Sequence, residues 1–267
     1  MSVLRRNKLR ELLKEGKPTI GTHILSSWPG TVEVIGHSAV VDYVEFMSTY
    51  APYELYSLDN LGMASELFDM STMIKIDAEP KTYLAQRAIG AGFQNVLFAD
   101  LRTVKDVEEA VRAVRAEPRG WNGCSMHRIE GYLLECGSEK FVRYCDDVVV
   151  AVMVEKKSLY DRLEDVMNTD GVDMIQFGLY DFSMTLGLWG QTKHPKVREA
   201  EEKTIKMALK YGKHPRAEVD SMDGFEEAVK RYIDLGVRDF CVGTDVGILF
   251  ESMKKYAGIT REALEKT

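Results

Sequence analysis

Two carboxylates end apolar segments of the chain, and their placement predicts a metal site. Glu155 closes the run "VVVAVMVE", and Asp181 closes "QFGLYD". If both runs are consecutive strands of a parallel barrel, their following residues lie at the same mouth, where barrel active sites are built. Oxygen ligands suit hard divalent cations, and two carboxylates leave coordination positions for a chelating substrate. That openness is what Lewis-acid catalysis requires.

A structural interpretation competes with the catalytic one. Acidic residues are favoured at helix N-termini, so Glu155 and Asp181 could each cap a following helix. Both interpretations stay open from the residues alone.

Charge and composition exclude several classes of function. The 267-residue chain has 35 basic and 42 acidic residues, a formal net charge of −7, which provides no basic footprint for nucleic acid or an anionic membrane. No apolar stretch approaches the roughly 20 residues that cross a bilayer. Its four cysteines show no CxxC or other metal-ligand spacing, and nothing resembles a secretory signal. We therefore expect a soluble, cytoplasmic protein that acts on small molecules.

Short apolar runs alternate with charged segments of helical period, which is typical of βα units on a parallel sheet. Eight strands are predicted, at residues 18–25, 40–47, 71–76, 93–98, 147–154, 172–177, 215–219 and 238–243. The helices between them are predicted mainly at 80–92, 103–117, 158–171, 195–212 and 223–236. Several end at a glycine, a residue suited to the helix C-terminus.

Eight such units in about 250 residues favour one closed (β/α)₈ TIM barrel over an open doubly wound sheet. The predicted domain spans 1–267, with an amphipathic N-terminal helix in 1–16 and an extra C-terminal helix after Asp245. That last helix carries Ile248, Leu249, Met253 and Tyr256, so it must pack on its own barrel or on a neighbouring copy. The irregular segment 119–146 is expected to be an active-site loop.

Several segments resemble the HpcH/HpaI aldolases, which are pyruvate-dependent class II aldolases. "GLYDFS" is similar to their G-P-x-D-L-S segment, and "VMVE" to the end of the strand that carries their metal-binding Glu. "NKLRELLKEGKPTIGTHI", "VVDYVEFMSTYAP" and "HPKV" are similar to their opening, second strand and a later H-P-x-V. The resemblance covers almost the whole chain in the expected order and independently favours the barrel.

The resemblance implies a mechanism. Glu155 and Asp181 would bind Mg²⁺, Mn²⁺ or Co²⁺, and a 2-oxo acid such as pyruvate would chelate the ion. The ion would stabilise the enolate that adds to an aldehyde, and backbone N–H groups around Gly178, Leu179 and Tyr180 would bind the substrate carboxylate. The family also implies a homotrimer or homohexamer in which the terminal helix packs on a neighbour.

The chain departs from the family at positions that handle charge and protons. Lys75 stands where the family has an arginine, which keeps the charge but loses the bidentate fork. Met47, Thr49 and Tyr50 replace the acidic residues and histidine of D-x-E-H-x-P, and a tyrosine with a pKa of about 10 is a poor base. The family's acid partner of that histidine corresponds to Gly90.

Two of the five histidines are candidates for the replacement proton carrier. His23 aligns with an active-site tryptophan of the family, so it is either a proton carrier or a buried strand histidine. His127 is a second candidate in the irregular segment, whereas His37, His194 and His214 are interpreted as structural or exposed.

Three functions are weighed. The first is a metal-dependent aldolase that cleaves or forms a 4-hydroxy-2-oxo acid, with Lys75, Tyr50 and His23 as catalytic candidates. The second is a decarboxylase or another oxo-acid lyase, motivated by the altered pocket. The third is an oxo-acid-binding protein that has lost turnover.

Overall fold

A closed barrel of eight parallel strands in sequential order forms the centre of the protein. The computed structural model describes residues 4–266. The strands are β1 Thr19–Ile24, β2 Tyr43–Met47, β3 Ser71–Ile76, β4 Asn95–Phe98, β5 Val149–Val154, β6 Met174–Phe177, β7 His214–Val219 and β8 Asp239–Thr244. All eight predicted strands and the barrel itself are confirmed.

Helices connect the strands and cover the barrel. They are α1 Lys8–Lys14, α2 Pro29–Ser38, α3 Leu55–Glu66, α4 Lys81–Ala91, α5 Val104–Val114, α6 Glu139–Asp147, α7 Lys157–Tyr160, α8 Leu163–Asn168, α9 Leu179–Thr185, α10 Pro195–Lys210, α11 Phe225–Asp234 and α12 Asp245–Glu265. The helix predicted at 158–171 is divided into α7 and α8, because Arg162 leaves the helical conformation with φ −112° and ψ 26°. No helix within residues 4–266 is long and apolar enough to span a bilayer.

The barrel interior changes from apolar to charged along its axis. Near the N-terminal end, Leu9 and Leu13 of α1 pack with interior residues such as Tyr43 and Met73. The predicted N-terminal helix is thus confirmed for its described part and closes this end, while residues 1–3 lie outside the described residues. β5 is buried at all six positions, as a strand covered on both faces must be. The C-terminal end contains buried ionised side chains and forms the open mouth.

The irregular segment 119–146 is not an active-site loop. It follows α5 and precedes β5, and therefore lies at the N-terminal end of the barrel, opposite the mouth. It contains a 3₁₀ turn at Arg128–Glu130, most of α6, and a disulfide between Cys124 and Cys136. Cysteine spacing alone gave no sign of this pairing. Cys145 and Cys241 are buried free thiols.

The terminal helix α12 is confirmed, and no residue described within it is buried. Its start is held by the Asp245 carboxylate, which accepts hydrogen bonds from the N–H groups of Leu25 (3.0 Å) and Ser26 (2.9 Å). Beyond that anchor the helix exposes a set of large apolar side chains: Ile248, Leu249, Phe250, Met253, Tyr256 and Ile259. The barrel of the same chain therefore leaves this apolar surface uncovered.

Candidate active site

A cavity of about 670 Å³ opens at the C-terminal end of the barrel. Barrel geometry directs strand ends and the following loops to this mouth, so residues distant in sequence share its walls. Its lining includes most of the residues that the sequence singled out: Tyr50, Lys75, Glu155, Gly178, Leu179, Tyr180 and Asp181. His23 is absent from this lining.

Glu155 and Asp181 occupy the same wall but differ in their environment. Glu155 directly follows β5 and is buried, and its Oε1 accepts a hydrogen bond from the Asp100 N–H at 2.6 Å. Asp181 lies farther from its strand than predicted, in the first turn of α9. Burial raises the pKa of Glu155, and the negative charge of Asp181 raises it further. A cation bound beside Glu155 would offset this effect.

Gly178 makes room for the Glu155 carboxylate. A Cβ at Gly178 would lie 2.6 Å from the Glu155 Cβ and 2.8 Å from its Oε2, closer than real Cβ contacts. The Gly178 N–H donates to the Val154 carbonyl at 3.1 Å, so it is already used within the barrel. Leu179 and Tyr180 begin α9, where backbone N–H groups lack intrahelical acceptors. Of the three predicted backbone donors, the N–H groups of Leu179 and Tyr180 are therefore the ones that could bind a substrate carboxylate.

Lys156 is a residue of the site that the sequence analysis missed. Its ammonium group lies 2.8 Å from Asp181 Oδ1 and 2.7 Å from Asp100 Oδ1. Asp100 itself lies just beyond β4, a position that also marks a barrel mouth. The rule that selected Glu155, an acid directly after a strand, would have found Asp77 after β3 and Asp220 after β7 as well.

Lys75 projects into the cavity as a buried cation. Its Nζ donates to the Tyr50 hydroxyl at 3.2 Å and lies 4.9 Å from the centroid of the same ring. Although burial opposes it, nearby Tyr50, Glu218 and Glu45 raise the pKa of Lys75. Lys75 therefore carries a full positive charge at neutral pH.

His23 is almost fully buried and does not line the cavity. It pairs in register with Glu45 of β2, and both side chains point into the barrel. Its Nε2 is 3.4 Å from Glu45 Oε1, and its Nδ1 is 3.4 Å from Asp220 Oδ1. Burial alone would lower its pKa, but Cys241, Glu45 and Asp220 raise the pKa of His23 well above its ordinary value. These neighbours therefore favour the protonated, cationic ring of His23.

A buried ion pair crosses the barrel below the mouth, and the sequence analysis did not anticipate it. Arg216 of β7 donates to Glu45 Oε2, to the Tyr43 hydroxyl at 2.8 Å and to Gln176 Oε1. The side chains of Glu45 and Arg216 are both inaccessible to solvent. Arg216 holds the pKa of Glu45 near 2, against the opposing effect of burial. In the sequence, Arg216 and Glu218 stand two positions apart in a predicted strand, which places both side chains on the same face. This spacing was the available sign of a charged barrel interior.

None of the remaining histidines lines the cavity. His127 faces a separate cleft with Gly90, whose added Cβ would lie 2.3 Å from its Nδ1. His37 packs edge-on against Phe68, His194 caps α10, and His214 lies 3.3 Å from Asp239.

Comparison with known proteins identifies a family and relatives that match almost the whole chain. The family model described as HpcH/HpaI aldolase/citrate lyase matches residues 55–242. A 5-keto-4-deoxy-D-glucarate aldolase of Klebsiella pneumoniae subsp. pneumoniae is 26% identical, covering 94% of this chain and 95% of that protein. A hydroxypyruvate/pyruvate aldolase of Roseobacter denitrificans is also 26% identical, covering 94% of this chain and 96% of that protein.

The crystal structure of an HpcH/HpaI aldolase from Desulfitobacterium hafniense DCB-2 superposes with a TM-score of 0.88 at 22% identity. It covers 96% of this chain and 98% of that structure, and it supports the fold. Because the family model matches most of the chain, the protein belongs to the HpcH/HpaI aldolase/citrate lyase family and is an aldolase/lyase of that type.

Proposed function

We propose that the protein is a divalent-metal-dependent carbon–carbon lyase that cleaves or forms a 4-hydroxy-2-oxo acid. The observation that carries the proposal is the shared cavity of Glu155, Asp181 and the cationic Lys75. The relatives that are aldolases of keto acids and of hydroxypyruvate or pyruvate support a small 2-oxo acid as substrate.

The residues present fit a hard divalent cation. Glu155 and Asp181 offer carboxylate oxygens, the ligands that Mg²⁺ and Mn²⁺ prefer, and Gly178 keeps space beside Glu155 Oε2. When bound, a Mg²⁺, Mn²⁺ or Co²⁺ ion would act as a Lewis acid toward the ketone of the substrate. Lys156 would have to release Asp181 Oδ1, or share it, when the ion enters.

The protein side chains would bind and orient the substrate. Lys75 places a positive charge in the cavity, where it would stabilise the negative charge of an enolate. Tyr50 would fix the Lys75 ammonium through its hydroxyl and close one side of the cavity. The N–H groups of Leu179 and Tyr180 would bind the substrate carboxylate.

The test is exchange of the C3 protons of pyruvate for deuterium, which is measured as loss of the methyl signal in proton NMR. We expect exchange with Mg²⁺, Mn²⁺ or Co²⁺, loss with a chelator, and a decrease of at least about 100-fold in Asp181→Asn. The matched control is Asp223→Asn, an exposed carboxylate on the rim of the same cavity. Full exchange in Asp181→Asn or in the presence of chelator would contradict the proposal.

A second candidate activity is decarboxylation of an oxo acid. It is favoured by the mouth itself, where Met47 and Tyr50 line the cavity at positions that carry charged groups in the resembling family. Release of CO₂ from oxo acids, measured beside deuteration of C3, separates the two reactions. Saturable, metal-dependent binding of pyruvate without either reaction would identify a binding protein instead.

We also propose that the chain forms a homotrimer or homohexamer through α12. The apolar side chains of α12 are not covered by their own barrel, and a second copy of the same chain would bury them. Light scattering after size exclusion should give three or six chains, and Leu249→Asp with Phe250→Asp should give smaller species. A monomer at micromolar concentration would contradict this assembly.

A further inference from the structure

The proposed reaction needs a proton carrier in the cavity, and Lys75 is held there as a cation. Two carboxyl groups on the wall formed by β7 suit this task. Glu218 points inward from β7, and Asp220 directly follows that strand. Both line the cavity that also contains Glu155, Asp181 and Lys75, and their side chains are 32% and 42% exposed.

Glu218 and Asp220 are held as a pair. Their carboxylate oxygens and a ring nitrogen of His23 all lie within 4.8 Å of one another. Gln176 donates to Glu218 Oε2 at 2.6 Å, and the Thr244 hydroxyl donates to Asp220 Oδ1 at 3.2 Å. These contacts fix the two carboxyl groups from β6 and β8 while leaving part of each group open to the cavity.

We propose that Glu218 and Asp220, positioned by His23, are the acid/base pair that moves the proton in carbon–carbon bond cleavage and formation. This inference rests on the proposed function and assigns a catalytic role to residues outside the metal-binding wall. Glu218 and Asp220 are the groups that face the substrate. His23 is a positioning residue, because it is buried behind them and does not line the cavity.

The proton inventory of the step balances. In cleavage, the pair removes the proton of the C4 hydroxyl, the electrons of that O–H bond form the aldehyde C=O, and the C3–C4 pair forms the enolate. The pair then returns one proton to C3, which gives the 2-oxo acid. No proton is gained or lost overall, and formation of the bond follows the reverse order.

The protonation states of the pair agree with this role. Burial raises the pKa of Glu218, and the neighbouring Asp220 raises it further, although His23 and Lys75 oppose the shift. Despite the opposing effect of burial, His23, Glu218 and Thr244 lower the pKa of Asp220 to about 2. Glu218 therefore favours its protonated form more than Asp220 does, which suits one group as proton donor and the other as proton acceptor.

The same cluster is a weaker candidate for a metal site, because cations already surround it. The charged or titratable groups that face the pair come from several strands: His23 of β1, Glu45 of β2, Lys75 of β3, Arg216 of β7 and Cys241 of β8. Cys241, Glu45 and Asp220 favour the protonated ring of His23, in which both nitrogens are donors rather than metal ligands. An additional cation would also meet the charges of Lys75 and Arg216.

The experiment compares Glu218→Gln, Asp220→Asn and the rim control Asp223→Asn in the full chain with Mn²⁺ and pyruvate. General acid–base groups contribute about 10²- to 10⁴-fold, so each variant of the pair should lose C3 deuterium exchange by that factor. The dissociation constants of Mn²⁺ and pyruvate, measured by calorimetry, should change by less than about threefold in each variant. His23→Asn should move the acidic limb of the rate profile to higher pH, because the Asp220 carboxylate loses a neighbouring cation.

The outcomes separate this inference from the proposed function. If the wild type exchanges the C3 protons and both Glu218→Gln and Asp220→Asn exchange them at the same rate, the inference is overturned and the proposed function stays intact. Loss of a second bound Mn²⁺ in Glu218→Gln would also overturn it, by identifying a metal site. Absence of metal-dependent exchange in the wild type would refute the proposed function and the inference with it.

Discussion

Replacing Glu45 by glutamine isolates the buried charge that neutralises Arg216. The substitution keeps the size and one acceptor oxygen but removes the negative charge from a site without solvent access. Arg216 would retain the Tyr43 hydroxyl and Gln176 Oε1 as acceptors. The change in stability therefore chiefly measures the free energy lost when the buried guanidinium has no neutralising charge. His23 would lose the same neutralising partner.

Two estimates of the magnitude agree. Breaking one side of a buried pair costs about 3–5 kcal/mol. Independently, the pKa of Glu45 falls from 4.5 to about 2, and at 1.36 kcal/mol per unit this corresponds to about 3 kcal/mol of stabilisation. We expect Glu45→Gln to lower the free energy of unfolding at pH 7 by about 3 kcal/mol.

Urea unfolding followed by circular dichroism measures the effect. With a slope of about 3 kcal/mol per molar urea, the midpoint should fall by about 1 M. The matched control is Asp234→Asn, which removes a carboxylate from the exposed pair with Lys230 and should cost less than about 0.5 kcal/mol. A midpoint for Glu45→Gln within 0.2 M of the control, about 0.6 kcal/mol at this slope, would refute the assignment of the pair as a stabilising charge.

The pH dependence supplies a second check on the same pair. The folded-state pKa of Glu45 lies below its unfolded value, so its stabilisation is complete above about 4.5 and is lost as pH falls toward 2. The difference in unfolding free energy between wild type and Glu45→Gln should therefore shrink over this window. A difference that stays constant between pH 5 and pH 2 would mean that Glu45 does not titrate as described.

Other predictions follow from single contacts. Gly178→Ala should lower metal-dependent activity at least about tenfold, because its Cβ would displace the Glu155 carboxylate, whereas Gly123→Ala, with no atom within 4 Å, should retain full activity in the same assay. Gly258 lies within α12 and also has no close neighbour. Gly258→Ala should raise the thermal midpoint, because alanine is about 1 kcal/mol more favourable than glycine in a helix. An unchanged or lower midpoint would contradict this prediction. Reduction of the Cys124–Cys136 disulfide, which closes a short loop, should lower the free energy of unfolding by up to about 3 kcal/mol, and Cys136→Ser should no longer respond to reductant.

The sequence by itself determined the strands, the barrel and the placement of the carboxylate wall. Alternating apolar runs and charged helical segments are local signals, and a parallel barrel brings every strand end to one mouth. This is why Glu155 and Asp181 were predicted to lie together, whereas Lys75 was predicted from the family resemblance; all three line one cavity. The same logic, applied fully, would have selected Asp77 and Asp220, which also directly follow strands.

Only the tertiary structure decided what each charge faces. Glu45 and Arg216 meet across the barrel from strands that are not neighbours, and 171 positions separate them in sequence. The burial of His23, the bridge from Lys156 to Asp100 and Asp181, and the pair formed by Glu218 and Asp220 depend on barrel closure and on the inward or outward direction of each side chain. Segment 119–146 did not need the tertiary structure, because the predicted helix at 103–117 precedes it and the predicted strand at 147–154 follows it, an order that already assigns it to the end opposite the mouth. Local sequence sets which elements form, whereas charges interact through distances that exist only after those elements have closed into a barrel.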